Sequence, residues 1–140
     1  MPSNDSEESV YSIKNGPISL MRGDSPNNFG QAGIEIEFSD KAVLRAWYWR
    51  FICDGKAALS SFDHQQKYGL PSPIDAIEQL QGALNNSFLE SIQLDPETGD
   101  LSLLFKENRK LQVFNFSGYE VWSIHFPDGA QEFSNCVLQR

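Results

Sequence analysis

The second half of the chain constrains the fold most. From Phe88 onward, short apolar stretches at residues 89–94, 101–105, 111–116, 121–126 and 131–138 alternate with the turn sequences PETGD, KENRK, SGY and PDG. Stretches of this length bounded by Gly, Pro, Asn and Asp are strand candidates. Connections this short join only antiparallel neighbours, so this half of the chain reads as a meander. In the stretch 121–126, Trp122, Ile124 and Phe126 share one face while Ser123 and His125 share the other. That alternation predicts one core face and one wet face.

The first half supplies further strands and one helix. In residues 34–38, Ile34, Ile36 and Phe38 alternate with Glu35 and Glu37, the period of a half-buried strand. Residues 43–53 (VLRAWYWRFIC) are apolar or aromatic on both parities, which predicts one long central strand covered on both sides. Asp54-Gly55 is a two-residue hairpin signal, and residues 57–62 return as the partner strand. Ser72, Pro73 and Asp75 read as the N-cap, first turn and dipole-facing acid of a helix. Ile74, Ile77, Leu80 and Leu84 form its apolar stripe, and Asn85-Asn86 ends it. Residues 23–33 (GDSPNNFGQAG) read as a loop, and residues 1–16 as a polar, flexible tail to which Val10, Tyr11 and Ile13 could add a short edge strand. The expected architecture is therefore α+β: a polar tail at 1–16, then a single domain at 17–140. In that domain a curved antiparallel sheet of about seven to eight strands carries one main helix.

Composition narrows the chemistry. Eleven basic side chains against nineteen acidic ones give a formal charge of -8 over 140 residues. Nucleic acid is disfavoured as a partner, because phosphate binding draws its affinity from Lys and Arg that displace counterions. A basic protein or cationic ligand would be steered toward the chain. The two cysteines, Cys53 and Cys136, make no disulfide framework. With no apolar run near the ~18 residues of a membrane span and no signal-like N-terminus, the expected setting is the cytoplasm, without membrane attachment.

Motifs for cofactor or metal chemistry are missing from the sequence. His64 and His125 have no Cys or His at zinc-ligand spacing, the acidic stretch Asp95–Asp100 lacks the ligand alternation of a calcium loop, and no glycine pattern cradles a phosphate. No cofactor and no metal are expected. The cluster Ser60, Ser61, Asp63 and His64 admits two readings: nucleophile, orienting acid and base of a small hydrolase, or a turn whose carboxylate and imidazole make local hydrogen bonds. Trp47 and Trp49, two apart, are core residues in one reading and the floor of a ligand-stacking pocket in the other.

Five segments together resemble a known pattern. WYWRFICDG (47–55), SSFDHQQKYGLPSPIDA (60–76), TGDLSLLFKENRKLQVF (98–114), SGYEVWSI (117–124) and PDG (127–129) are similar to a family of small uncharacterised bacterial α+β domains. Some members look like immunity proteins of polymorphic or contact-dependent toxin systems. The resemblance implies a binding protein rather than an enzyme, one that neutralises a cognate toxin domain by occluding its active site. The charge suits a basic toxin, including a nuclease, and makes Glu35, Glu37, Asp95, Glu97, Asp100 and Glu120, with Tyr119 as an aromatic anchor, the expected partner-binding residues. Trp122, Asp128 and Asp63 are expected to serve the fold, as core, turn and cap.

Overall fold

The structure, a computed structural model, describes residues 13–23, 32–115 and 121–133. Among these described residues, eleven strands and one α-helix follow in the order β1 (Gly16–Pro17), β2 (Ser19–Arg22), β3 (Ile34–Glu37), β4 (Val43–Ala46), β5 (Trp49–Cys53), β6 (Lys56–Ser60), α1 (Ala76–Leu84), β7 (Phe88–Leu94), β8 (Leu101–Phe105), β9 (Arg109–Val113), β10 (Trp122–His125) and β11 (Gln131–Phe133). The fold is α+β, but its strands form two antiparallel sheets rather than the single curved sheet expected. One has the order β1-β7-β8-β9-β5-β6 and the other β11-β10-β4-β3-β2.

The division originates at Trp47-Tyr48. Leu44 and Ala46 point inward from β4, whereas Trp49 and Phe51 point inward from β5. The buried parity switches from even to odd across the two intervening residues, and with it the chain passes from one sheet to the other. A strand that changes sheet at a corner presents apolar residues on both parities, as a doubly covered strand would. The expected long strand at 43–53 is therefore two short ones.

The inner faces meet in one core. Leu20, Ile34, Ile36, Leu44, Ala46, Trp122 and Ile124 come from the five-stranded sheet, and Trp49, Phe51, Leu89, Leu101, Leu103, Phe105, Leu111 and Val113 from the six-stranded one. Removing each Leu or Ile side chain from water stabilises the fold by roughly 1.5–3 kcal/mol. Both fully buried indoles keep their N–H groups satisfied: Trp49 Nε1 donates to the Ala32 carbonyl and Trp122 Nε1 to the Gly99 carbonyl, each at 2.8 Å. On the opposite face of β10, Ser123 is buried as well, so the face expected to be wet is dry at that position.

The helix closes an open edge. Its buried stripe is Ala76, Ile77, Leu80 and Leu84. At the edge strand β2, Leu20 N–H donates to Asn85 Oδ1 at 2.8 Å and Gln81 Nε2 donates to the Leu20 carbonyl at 3.1 Å. These side chains occupy backbone groups that would otherwise template intermolecular pairing. Arg109 Nη1 from β9 donates to the Ala83 carbonyl at 2.7 Å, satisfying the helix C-terminus with a cation. The helix starts three residues later than the Ser72-Pro73 signal suggests, with Asp75 as N-cap accepting from Glu78 N–H at 3.1 Å. Residues 73–75 stay outside the helix, with Asp75 extended and Ile74 tied through its N–H to the Gln66 carbonyl and through its carbonyl to Gln65 N–H.

Among the shorter elements, Asp54 and Gly55 both have positive φ and turn β5 into β6 as expected. Strands β1 and β2 have no counterpart in the sequence reading. Ile13 packs against the core and Gly16 pairs with Leu89, while Val10 and Tyr11 lie outside the described residues.

Candidate binding surface

The segment between β6 and α1 is braced by its own polar side chains. Ser60 caps a 3-10 turn at Ser61–Asp63, where Asp63 Oδ2 accepts from Ser60 N–H at 2.9 Å in a capping box. The other carboxylate oxygen of Asp63 accepts from the Tyr68 hydroxyl at 2.9 Å. That bond to the carboxylate, followed by desolvation and the carboxylate's charge, raises the Tyr68 pKa above the usual phenol value. His64, whose side chain is only 7% exposed, turns Nδ1 toward the helix and accepts from Ala76 N–H at 3.1 Å. Ser61 Oγ accepts from Trp49 N–H at 3.1 Å. Ser60 and Asp63 thus brace the loop, His64 the helix start and Ser61 the start of β5.

Asp75 completes this corner. Arg22 Nη2 from β2 donates to its Oδ2 at 2.7 Å, and His64 Nδ1 lies 3.8 Å from its Oδ1. Partial desolvation pushes the Asp75 pKa upward, but the Glu78 N–H bond and the Arg22 contact outweigh it, so the carboxyl lies below the ordinary range.

The brace holds three large apolar side chains in solvent. Phe62 is 63% exposed, Tyr68 66% and Leu70 49%. Gln65, Tyr68 and Gly69 all have positive φ, and for Gln65 and Tyr68 this conformation is costly and must be held by the surrounding bonds.

Beside Phe62 lies a cleft of about 570 Å³ lined by Tyr48, Phe62, Asp100, Phe114 and Asn115. The register explains why these residues converge. Leu101, Val113 and Trp49 form an inward row across β8, β9 and β5, so the next residues along, Asp100, Phe114 and Tyr48, fall on the outer side. The Phe114 N–H bond to the Tyr48 carbonyl at 2.9 Å continues the ladder through this row. Tyr48 and Phe62 rings stand 5.5 Å apart, and the Arg50 guanidinium lies 5.1 Å from the centre of the Phe114 ring.

The TGD segment forms the polar end of the cleft. The Thr98 carbonyl accepts from Asn115 Nδ2 at 2.9 Å, the Gly99 carbonyl accepts the Trp122 indole, and Asp100 Oδ1 accepts from Asn115 N–H at 2.7 Å. Gly99 has φ +83°, and a Cβ there would lie 2.7 Å from Asn115 Nδ2, so glycine is needed for both conformation and space. What reads as a plain turn is a clamp joining the ends of β8, β9 and β10. Asn115 Oδ1 is buried without a hydrogen-bond partner.

The expected partner-binding acids divide between the two sheets. Glu35 and Glu37 are half-buried on the outer face of β3, with Glu35 Oε2 3.1 Å from Arg45 Nε. Asp95, Glu97 and Asp100 share the turn beside the cleft. There Asp95 Oδ1 accepts from Glu97 N–H at 2.9 Å, and Glu97 is exposed. Tyr119 and Glu120 lie outside the described residues. Asp63 acts as a cap, Trp122 is core, and Asp128 Oδ1 accepts from Ala130 N–H at 2.9 Å in its turn.

Of the two readings of Trp47 and Trp49, the core one holds for Trp49, which is fully buried, and the rings that line the cleft are the half-buried Tyr48 and Phe114 and the exposed Phe62. Among the described residues, no group of three or more His, Cys, Asp or Glu side chains could hold a metal ion, and no helix is long and apolar enough to cross a membrane. Comparison with known proteins finds no match to a family model, a curated protein or a solved structure.

Proposed function

We propose that this chain is a non-catalytic binding protein of the immunity type, which neutralises a cognate basic toxin domain in the cytoplasm by covering that domain's active site. The observation that carries the proposal is the aromatic cleft of Tyr48, Phe62 and Phe114 beside a braced loop that holds Tyr68 and Leu70 in solvent. Exposed aromatic side chains on a rigid frame are the usual anchors of protein interfaces, because little entropy is lost on docking. The charge of -8 supports a basic partner, whose approach it would accelerate. A stable complex needs about 800 Å² from each partner, and the cleft, the loop and the Asp95–Asp100 turn offer candidate contacts toward that area.

The experiment is to express the C-terminal domain of the protein encoded by the neighbouring gene, assay its toxicity, and measure inhibition by this chain. Excess purified protein is expected to abolish toxin activity, and Phe114→Ala with Tyr48→Ala is expected to restore it while the Trp fluorescence of the fold is kept. Full toxin activity in the presence of excess protein would overturn the proposal. The cleft also supports a second reading, a module that binds a small ligand. Under that reading the double variant loses ligand binding and no toxin is inhibited by the parent protein.

A further inference from the structure

The cleft combines an acid that is engaged through one oxygen among the described residues with aromatic walls. Asp100 Oδ1 is engaged by Asn115 N–H, whereas Oδ2 has no hydrogen-bond partner and Asp100 forms no ion pair among the described residues. A carboxylate at the end of an apolar cleft is best complemented by a cation that is also flat enough to lie against rings. Guanidinium meets both demands: its plane stacks on aromatic faces while an N–H at its edge donates to the open carboxylate oxygen, which the compact ammonium of lysine does not do. The protein already shows this preference on one side of the cleft, where its own Arg50 rests on Phe114 and donates through Nε to Gln112 Oε1 at 2.8 Å.

We propose that this cleft receives an arginine side chain of the partner protein, stacked among Tyr48, Phe62 and Phe114 and hydrogen-bonded to Asp100 Oδ2. The proposal rests on the binding role set out above and names the chemistry of its anchor. It also assigns a role to Arg50. That residue shares the Phe114 ring with the incoming group and repels it, so removing the Arg50 charge strengthens arginine binding.

The test is a titration of the full-length 15N-labelled chain with acetyl-Gly-Arg-Gly-amide, followed by NMR, with the citrulline and lysine analogues as controls. The arginine peptide is expected to shift the Asn115 side-chain amide and the backbone amides of Phe62, Asp100 and Phe114 in a saturable manner. Citrulline, which keeps the shape and loses the charge, gives no saturable shift, and lysine binds more weakly. Asp100→Asn keeps the acceptor for Asn115 N–H and weakens arginine binding by about tenfold, the loss of one charge-assisted contact. Arg50→Gln tightens it.

Equal binding of arginine and citrulline, or an Asp100→Asn variant that binds as well as the parent, would overturn the proposal. Weaker arginine binding in Arg50→Gln would also overturn it, since the ring would then depend on Arg50. The two levels separate cleanly. Toxin inhibition that survives Asp100→Asn, with no response to the arginine peptide, overturns the arginine anchor and leaves the binding role standing. Arginine binding without toxin inhibition does the reverse.

Discussion

Replacing Gly99 by alanine tests the clamp that shapes the cleft. At φ +83° an L-residue is in the left-handed region, which costs roughly 1–2 kcal/mol. The new Cβ would also stand 2.7 Å from Asn115 Nδ2, so either the Asn115 bond to the Thr98 carbonyl breaks or the turn shifts away from the Trp122 indole. Losing one such bond adds about 1–2 kcal/mol, for a total of roughly 2–4 kcal/mol. Gly55 is the matched control: its φ is +80° and nothing lies within 4 Å of the Cβ position. Gly55→Ala pays only the conformational part, about 1–2 kcal/mol. For a domain of this size each kcal/mol lowers Tm by about 3–5 °C, so thermal unfolding followed by Trp fluorescence separates the two variants. Gly99→Ala should fall further than Gly55→Ala, and where it is the turn that gives way, native fluorescence should change as the Gly99 carbonyl moves from the Trp122 indole. Equal Tm values and unchanged fluorescence would refute the clamp.

Other consequences concern the braced loop. His64→Ala removes the acceptor of Ala76 N–H at the helix start and is expected to lower stability by about 1–2 kcal/mol in denaturant unfolding, with toxin inhibition retained by the folded fraction. Tyr68 ionises above the ordinary phenol range because of Asp63, so Asp63→Asn should bring its ultraviolet titration back toward that range. Asp75 is depressed in the folded state, so its contribution to stability is present above the unfolded carboxyl pKa and is lost as pH falls through the lower, folded one. Asp75→Asn, which keeps an acceptor for Glu78 N–H, should therefore flatten the acid limb of Tm against pH.

The β7-β8-β9 and β10-β11 runs, the Asp54-Gly55 hairpin, the alternating strand at Ile34 and the helix end at Asn85 were legible because each is written in local periodicity or turn chemistry, but the expected meander is not continuous: β9 pairs with β5 and β10 with β4, in different sheets. The two-sheet division was not legible. It depends on which side of the chain is covered at Trp47-Tyr48, and a parity switch between two short strands looks in sequence like one strand covered twice. The helix start was displaced because the cap that wins, Asp75 with His64 behind it, relies on contacts to residues ten or more positions away. Strands β1 and β2 escaped notice for a related reason: Gly16-Pro17 pairs with Leu89 and Phe88, and β2 takes its outer hydrogen bonds from helix side chains. Of the candidate site, the acids of the 95–100 turn were visible, whereas the cleft is formed by cross-strand register and could not be read from spacing.

The most direct test of the binding role is calorimetric titration of this chain against the purified C-terminal domain of the protein encoded by the neighbouring gene, at low and physiological salt. Saturable one-to-one binding that weakens with salt and is lost in the Tyr48→Ala, Phe114→Ala double variant is the expected result. The absence of binding at either salt concentration, or binding untouched by loss of both rings, would contradict it.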